Sequence, residues 1–155
     1  MIAILLNDAS FEQDIRELLM AFYPGETFTH KEEEAGEAEL IVRGVRDGNS
    51  FSLHVTPVKK EAVHFALIYP DFSNRFETKN EIKQTLYRLL SAQTGRELPW
   101  GTLTGIRPTK IALTKLYDGW TDEQIETYMR ETYFTSKEKI DLSIEIAERE
   151  RELLS

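Results

Sequence analysis

Apolar and polar positions along this chain follow two rhythms, and the changes between them mark the elements. Met1 leads into Ile2, Ala3, Ile4, Leu5 and Leu6, an unbroken apolar run that predicts a buried strand. Asn7, Asp8 and Ser10 offer capping oxygens, and Phe11, Ile15, Leu18, Leu19 and Phe22 then recur at helical spacing. A helix is predicted over about 10–22, stopped by Pro24-Gly25. Glu26 to His30 alternates weakly, as a short strand would, and 31–39 sets five glutamates against Lys31, the pattern of a solvated turn.

Period-two alternation takes over from Leu40. Leu40 to Arg46 is followed by Asp47-Gly48-Asn49, a hairpin signal because Gly accepts positive φ. Phe51, Leu53 and Val55 then alternate with Ser52, His54 and Thr56. After a turn at Pro57 to Lys60, Val63, Phe65, Leu67 and Tyr69 form another apolar row, so three sequential strands predict an antiparallel meander. Beyond Pro70-Asp71 the helical rhythm returns over about 75–94, with Ile82, Leu86, Leu89 and Leu90 on one stripe and Gly95 as terminator.

From Leu98 no strand signal of any strength remains. Pro108 suits the first turn of a helix reaching about Asp118. Thr121-Asp122-Glu123-Gln124 is a capping box opening a helix with Ile125, Tyr128 and Met129. Thr135-Ser136-Lys137-Glu138 opens a last helix carrying Ile140, Ile144 and Ala147, with Leu142 and Ile146 widening the stripe. The predicted fold is α+β: a small, mostly antiparallel sheet with covering helices over 1–97, then a three-helix segment over 98–155.

Composition narrows the function classes. Of 155 residues, 41% are hydrophobic and 30% charged, ordinary for a folded protein and too apolar for wholesale disorder. No apolar run approaches the roughly 18 residues of a membrane span, and the amino terminus lacks the basic flank of a signal peptide. Nineteen basic against 27 acidic residues give a net charge of −8, which disfavours phosphate backbones and excludes generic nucleic-acid binding. There is no cysteine, so disulfides, thiolate catalysis, Cys-ligated zinc and Cys-ligated iron–sulfur clusters are excluded within this chain; a reducing cytoplasm is the expected compartment.

Candidate chemistry is sparse. A turn centred near Lys59 would place His54 opposite His64, close enough to share a metal, but no third ligand is positioned; a surface or sub-helix pair is expected and no metal site is assigned. The informative stretch runs from Trp100 through Gly101, Thr104, Gly105, Arg107 and Pro108 to Lys110. It sets hydroxyls and basic side chains around a helix start, where backbone N–H groups favour anions and an arginine fork fits a carboxylate or phosphate. The Walker spacing is absent. Two readings stay open: an interface or anion site, and a tight turn whose Trp100 enters the core while Arg107 pairs locally.

Trp100-Gly101-Thr102-Leu103-Thr104-Gly105-Ile106-Arg107-Pro108-Thr109-Lys110 resembles a segment of the HemZ-type oxygen-independent coproporphyrinogen III oxidases (dehydrogenases), radical-SAM proteins of bacterial haem biosynthesis. The helix before it, Asp122-Glu123-Gln124-Ile125 and Ala147-Glu148-Arg149-Glu150 are similar as well. The resemblance implies a region N-terminal to a radical-SAM barrel that holds a 4Fe-4S cluster on a Cys-x3-Cys-x2-Cys run and binds S-adenosylmethionine. None of those cysteines occurs here, so no catalytic residue carries over and no cofactor is assigned to this chain. The last helix stops at Ser155 without a closing cap, as in a longer polypeptide. The implied partner is the barrel of that polypeptide, contacted through Trp100–Lys110. A second implied contact is the tetrapyrrole, whose propionates Arg107 and Lys110 would meet. The alternative is a stand-alone anion- or protein-binding module using the same segment.

Overall fold

The computed structural model describes residues 1–59, 62–104 and 107–154. They form two compact units, one over Met1–Arg96 and a helical one beginning at Glu97. The fold class is α+β.

In the first unit five strands lie in the order β2-β1-β3-β4-β5: β1 Ile2–Leu6, β2 Phe28–Thr29, β3 Leu40–Asp47, β4 Ser50–Pro57 and β5 His64–Ile68. β1 pairs in parallel with β2 and β3; β3, β4 and β5 form the antiparallel meander. The parallel ladders are a departure from the simple meander. Their cause is legible in β1, whose first four residues are all buried and so must be covered on both faces.

α1, Glu12–Phe22, follows a 3-10 turn over Ala9–Phe11 that takes the Asp8 cap (Ser10 N to Asp8 Oδ1, 3.0 Å). α2, Arg75–Thr94, opens on Asn74, whose side chain accepts from Glu77 N at 3.1 Å, and closes on Gly95 at φ 71°. Ile15, Leu18, Leu19 and Phe22 from α1 and Ile82, Leu86 and Leu90 from α2 are fully buried. With Ile4, Val42, Phe51, Leu53 and Val55 of the sheet they make the core of this unit. On the opposite face a 3-10 helix over Glu32–Glu37 covers Ala3 and Leu5 through Ala35, with Ala38 beside it.

The β4–β5 register corrects the histidine reading. His54 pairs with Phe65 and His64 with Val55, so the two histidines lie on opposite faces. The turn is centred half a residue beyond Lys59, and a one-residue slip exchanges the faces of a strand. The same register turns His64, Ala66 and Ile68 toward the helices and leaves the Val63, Phe65, Leu67 and Tyr69 row on the uncovered face.

The second unit holds α3 Pro108–Tyr117, α4 Asp122–Tyr133 and α5 Lys137–Leu154. Pro108 occupies the first turn of α3. Both halves of the Thr121/Gln124 capping box form at α4, and Ser136 accepts from Lys139 N at 3.3 Å to open α5. The core gathers Leu103, Ala112, Leu116, Ile125, Met129, Tyr133, Ile140, Ile144 and Ala147.

Candidate functional site

The Trp100–Lys110 segment divides into two parts with different physical roles. Its first part is fixed inside the helical unit. Gly101 sits at φ 63°, and its N–H donates to the Leu98 carbonyl at 2.9 Å. This turn carries Thr102 onto the end of α4, where its N–H donates to the Tyr133 carbonyl at 2.7 Å. The Thr135 hydroxyl donates to the Trp100 carbonyl at 3.2 Å, and Ser136 N to the Pro99 carbonyl at 2.8 Å. Tyr133 O is one of the last carbonyls of α4, which lack donors inside the helix. The turn therefore closes the α4 C-terminus. Trp100 packs against the same core, with Lys139 Nζ 5.5 Å from its ring.

The second part faces outward. Arg107 is extended (φ −71°, ψ 111°), as a residue before proline tends to be, and its side chain makes no capping bond. Arg107 and Lys110 are exposed and three residues apart across the first turn of α3, while Pro108 is half-buried. Thr104 is half-buried and engaged; Gly105 lies outside the described residues. Arg107 and Lys110 thus share one helix start, whereas Trp100 and Gly101 are held at the end of α4.

Lys115, in the last turn of α3, is used elsewhere. Its Nζ lies 4.4 Å from the Trp120 ring and 4.6 Å from that of Tyr128, a cation held on two aromatic faces. Trp120 meets Tyr128 edge to face, and Tyr128 meets Tyr133 the same way, with the two hydroxyls 3.5 Å apart. Burial, then the Tyr128 hydroxyl, pushes the Tyr133 phenol well above its ordinary range. Trp120, Glu123, Thr127 and Tyr128 line an open groove of about 630 Å³. The available signal was aromatic density after Gly119, but Trp120, Tyr128 and Tyr133 share no helical period.

A second polar cluster was not visible in the sequence. β1 lies between two parallel neighbours and its flanking connections leave on opposite faces, the arrangement that opens a crevice at the carboxyl ends of strands. A cleft of about 260 Å³ there is lined by Asn7, His30, Glu32 and Arg43 among others. Its polar groups are already partnered: His30 hydrogen-bonds Glu12 at 3.0 Å and Arg43 pairs with Glu32 at 2.9 Å, while Arg46 pairs with Asp8 at 3.3 Å nearby. Among the described residues no group of three or more His, Asp or Glu is placed to hold a metal.

The Glu12 pair gives a pH dependence. Partial burial pushes its carboxyl upward, but hydrogen bonds from His30 and Arg16 outweigh this and hold it below the ordinary range. A depressed folded pKa contributes stability above the unfolded value, about 4.3, and loses it as pH falls through the folded value. Glu12→Gln therefore loses less stability than wild type between about pH 6 and pH 3, read as the shift of the urea midpoint at each pH.

A Bacillus subtilis (strain 168) protein described as "Oxygen-independent coproporphyrinogen-III oxidase-like protein HemZ" is 37% identical to this chain over 98 residues. The match takes in 61% of this chain and 19% of that protein, so the chain spans well under two thirds of the curated relative's length. No family model matches the chain, and no solved structure matches it. The chain is similar to part of a HemZ protein, the family to which the sequence resemblance pointed.

Proposed function

We propose that this chain is a non-catalytic, N-terminal accessory region of an oxygen-independent coproporphyrinogen III oxidase-like radical-SAM protein. The whole-protein reaction would be oxidative decarboxylation of coproporphyrinogen III propionates to vinyl groups. The observation that carries this reading is the 37% identity over 98 residues to a protein of which the match covers 19%. The residues present do not fit a thiolate-held 4Fe-4S cluster, because there is no cysteine among them, and no step of that reaction is assigned here.

In this reading the partner is the radical-SAM part of the same polypeptide. α5 offers a face for it: Leu142 and Ile146 lie one turn apart and exposed, away from the buried Ile140, Ile144 and Ala147. The exposed pair at the start of α3 supports a narrower second reading, in which Arg107 and Lys110 meet propionate carboxylates of the tetrapyrrole.

The first test is to read the encoding gene past the codon for Ser155. A continuing frame with a Cys-x3-Cys-x2-Cys run is the expected result. A stop codon there overturns the accessory reading and leaves a stand-alone anion- or protein-binding module. Calorimetry with coproporphyrin tests the narrower reading: heat that disappears in Arg107→Ala/Lys110→Ala is expected, and no heat at millimolar ligand overturns it.

A further inference from the structure

The uncovered face of β5 carries an apolar row that the fold leaves in water. Val63, Phe65, Leu67 and Tyr69 are 55%, 53%, 45% and 66% exposed. β5 is also an edge strand, bonded only to β4 within the sheet. Edge strands with free amides and carbonyls normally carry a charge, a proline or a bulge that discourages pairing. Residues 63–69, Val-His-Phe-Ala-Leu-Ile-Tyr, contain no Lys, Arg, Asp, Glu or Pro, in a chain that is 30% charged. No turn or loop backbone bond to this strand is made among the described residues.

We propose that β5 pairs antiparallel with β5 of a second copy of this chain, about a two-fold axis at Ala66. The sequence is self-complementary about that point. Phe65 falls opposite the second copy's Leu67, Val63 opposite its Tyr69, and Ala66 opposite itself. All four apolar side chains then meet on one face of a continuous sheet. Residues opposite one another have the same parity, so the outward amides of one strand meet the outward carbonyls of the other. An axis moved to Leu67 would instead set Val63 against the charged Asp71.

Area sets the strength. Aromatic side chains bury about 150–250 Å² each when fully covered, so four half-exposed apolar residues offer roughly 400 Å² per copy. Twice that, about 800 Å² before the backbone is counted, lies below the 1,200–2,000 Å² of standard interfaces, and the dimer is expected at micromolar rather than nanomolar Kd. The net charge of −8 opposes association through space, while the strip itself is uncharged. The dimer therefore tightens as salt screens the distant repulsion. Association closes at two copies: the antiparallel pair consumes both β5 edges, and the opposite edge, β2, has two residues.

Sedimentation velocity of the 155-residue chain between about 5 and 500 µM tests this, since a micromolar Kd is crossed within that range. Wild type is expected to pass from monomer to dimer, more readily at high salt. Phe65→Lys and Leu67→Glu should each weaken the dimer at least tenfold while melting like wild type, because both positions are exposed. Mixed together, the two variants should form a heterodimer that neither forms alone. In it the introduced ammonium at 65 faces the introduced carboxylate at 67, and the remaining Phe65–Leu67 pair is intact. A wild-type chain that stays monomeric, a dimer indifferent to both substitutions, or a mixture that stays monomeric overturns the proposal. The first of these outcomes gives the strip to another occupant, such as a later segment of a longer polypeptide.

Discussion

Gly101→Ala unfolds the helical unit's closure more severely than any other single methyl added to this chain's described glycines. A Cβ at position 101 would stand 1.9 Å from the Tyr133 carbonyl oxygen and 2.6 Å from the Phe134 carbonyl carbon. Both are backbone atoms, so no side-chain rotation relieves the contact. The left-handed φ of 63° adds roughly 1–2 kcal/mol for any residue bearing a Cβ. Forced overpacking adds about 1–3 kcal/mol more. Release of the turn also orphans the Tyr133 carbonyl and the Thr102 amide, each about 1 kcal/mol. A loss of about 4–7 kcal/mol follows, comparable with the whole stability of a small domain. Both tryptophans, Trp100 and Trp120, lie in this unit, so tryptophan emission during urea unfolding reports it directly. The control is Gly36→Ala: nothing lies within 4 Å of a Cβ there, and the expected change is within about 0.5 kcal/mol. A Gly101→Ala midpoint equal to wild type would show that the turn does not close α4.

This geometry also explains how much of the candidate site was legible. Residue types in the Trp100–Lys110 stretch identify an unusual segment but not its direction. One positive φ at Gly101 turns the chain so that Trp100 and Thr102 serve the α4 terminus, while Pro108 starts a helix that leaves Arg107 and Lys110 in solvent. Local composition groups these residues together; only the tertiary contact at Tyr133 separates them. The aromatic faces around Lys115 were hidden for a related reason, since Trp120 lies on the turn before α4 and Tyr128 and Tyr133 lie on the helix itself.

Fold elements were more legible than their pairing. Thr121 caps where its side-chain oxygen and Gln124 predict, because capping is settled within four residues; at α5 the cap falls one residue later than the Thr135 signal, on Ser136, since Thr135 donates to the Trp100 carbonyl instead. Sheet partners are not settled locally. The unbroken apolar run of β1 signals burial on both faces, yet it does not name β2 and β3 as parallel neighbours. In β5 the alternation of apolar residues is clear, but alternation has the same form whichever face is buried. The half-residue shift of the β4–β5 turn decides it, and it decides against the apolar row.

The α+β unit depends most on Phe22. Its side chain is fully buried at the end of α1 and meets Tyr87 of α2 edge to face at 5.4 Å, so one ring joins the two helices that cover the sheet. Its carbonyl accepts from the Arg96 guanidinium, which ties the end of α1 to the last residue of this unit. Phe22→Ala removes the ring and leaves a cavity beside Tyr87, in a core whose Leu19, Leu86 and Leu90 are themselves fully buried. The expected loss is about 3–5 kcal/mol. Phe76, 57% exposed on α2, supplies the comparison: Phe76→Ala removes the same atoms from solvent and should cost no more than about 0.5 kcal/mol. The difference isolates burial from residue type, and far-UV circular dichroism with urea reads it, because the sheet and its helices lose structure together. Equal losses in the two variants would mean that Phe22 is not the junction between α1 and α2. A large loss confined to Phe22→Ala would establish that the helices hold the sheet through that ring, even though β1, β3 and β4 have the longer ladders.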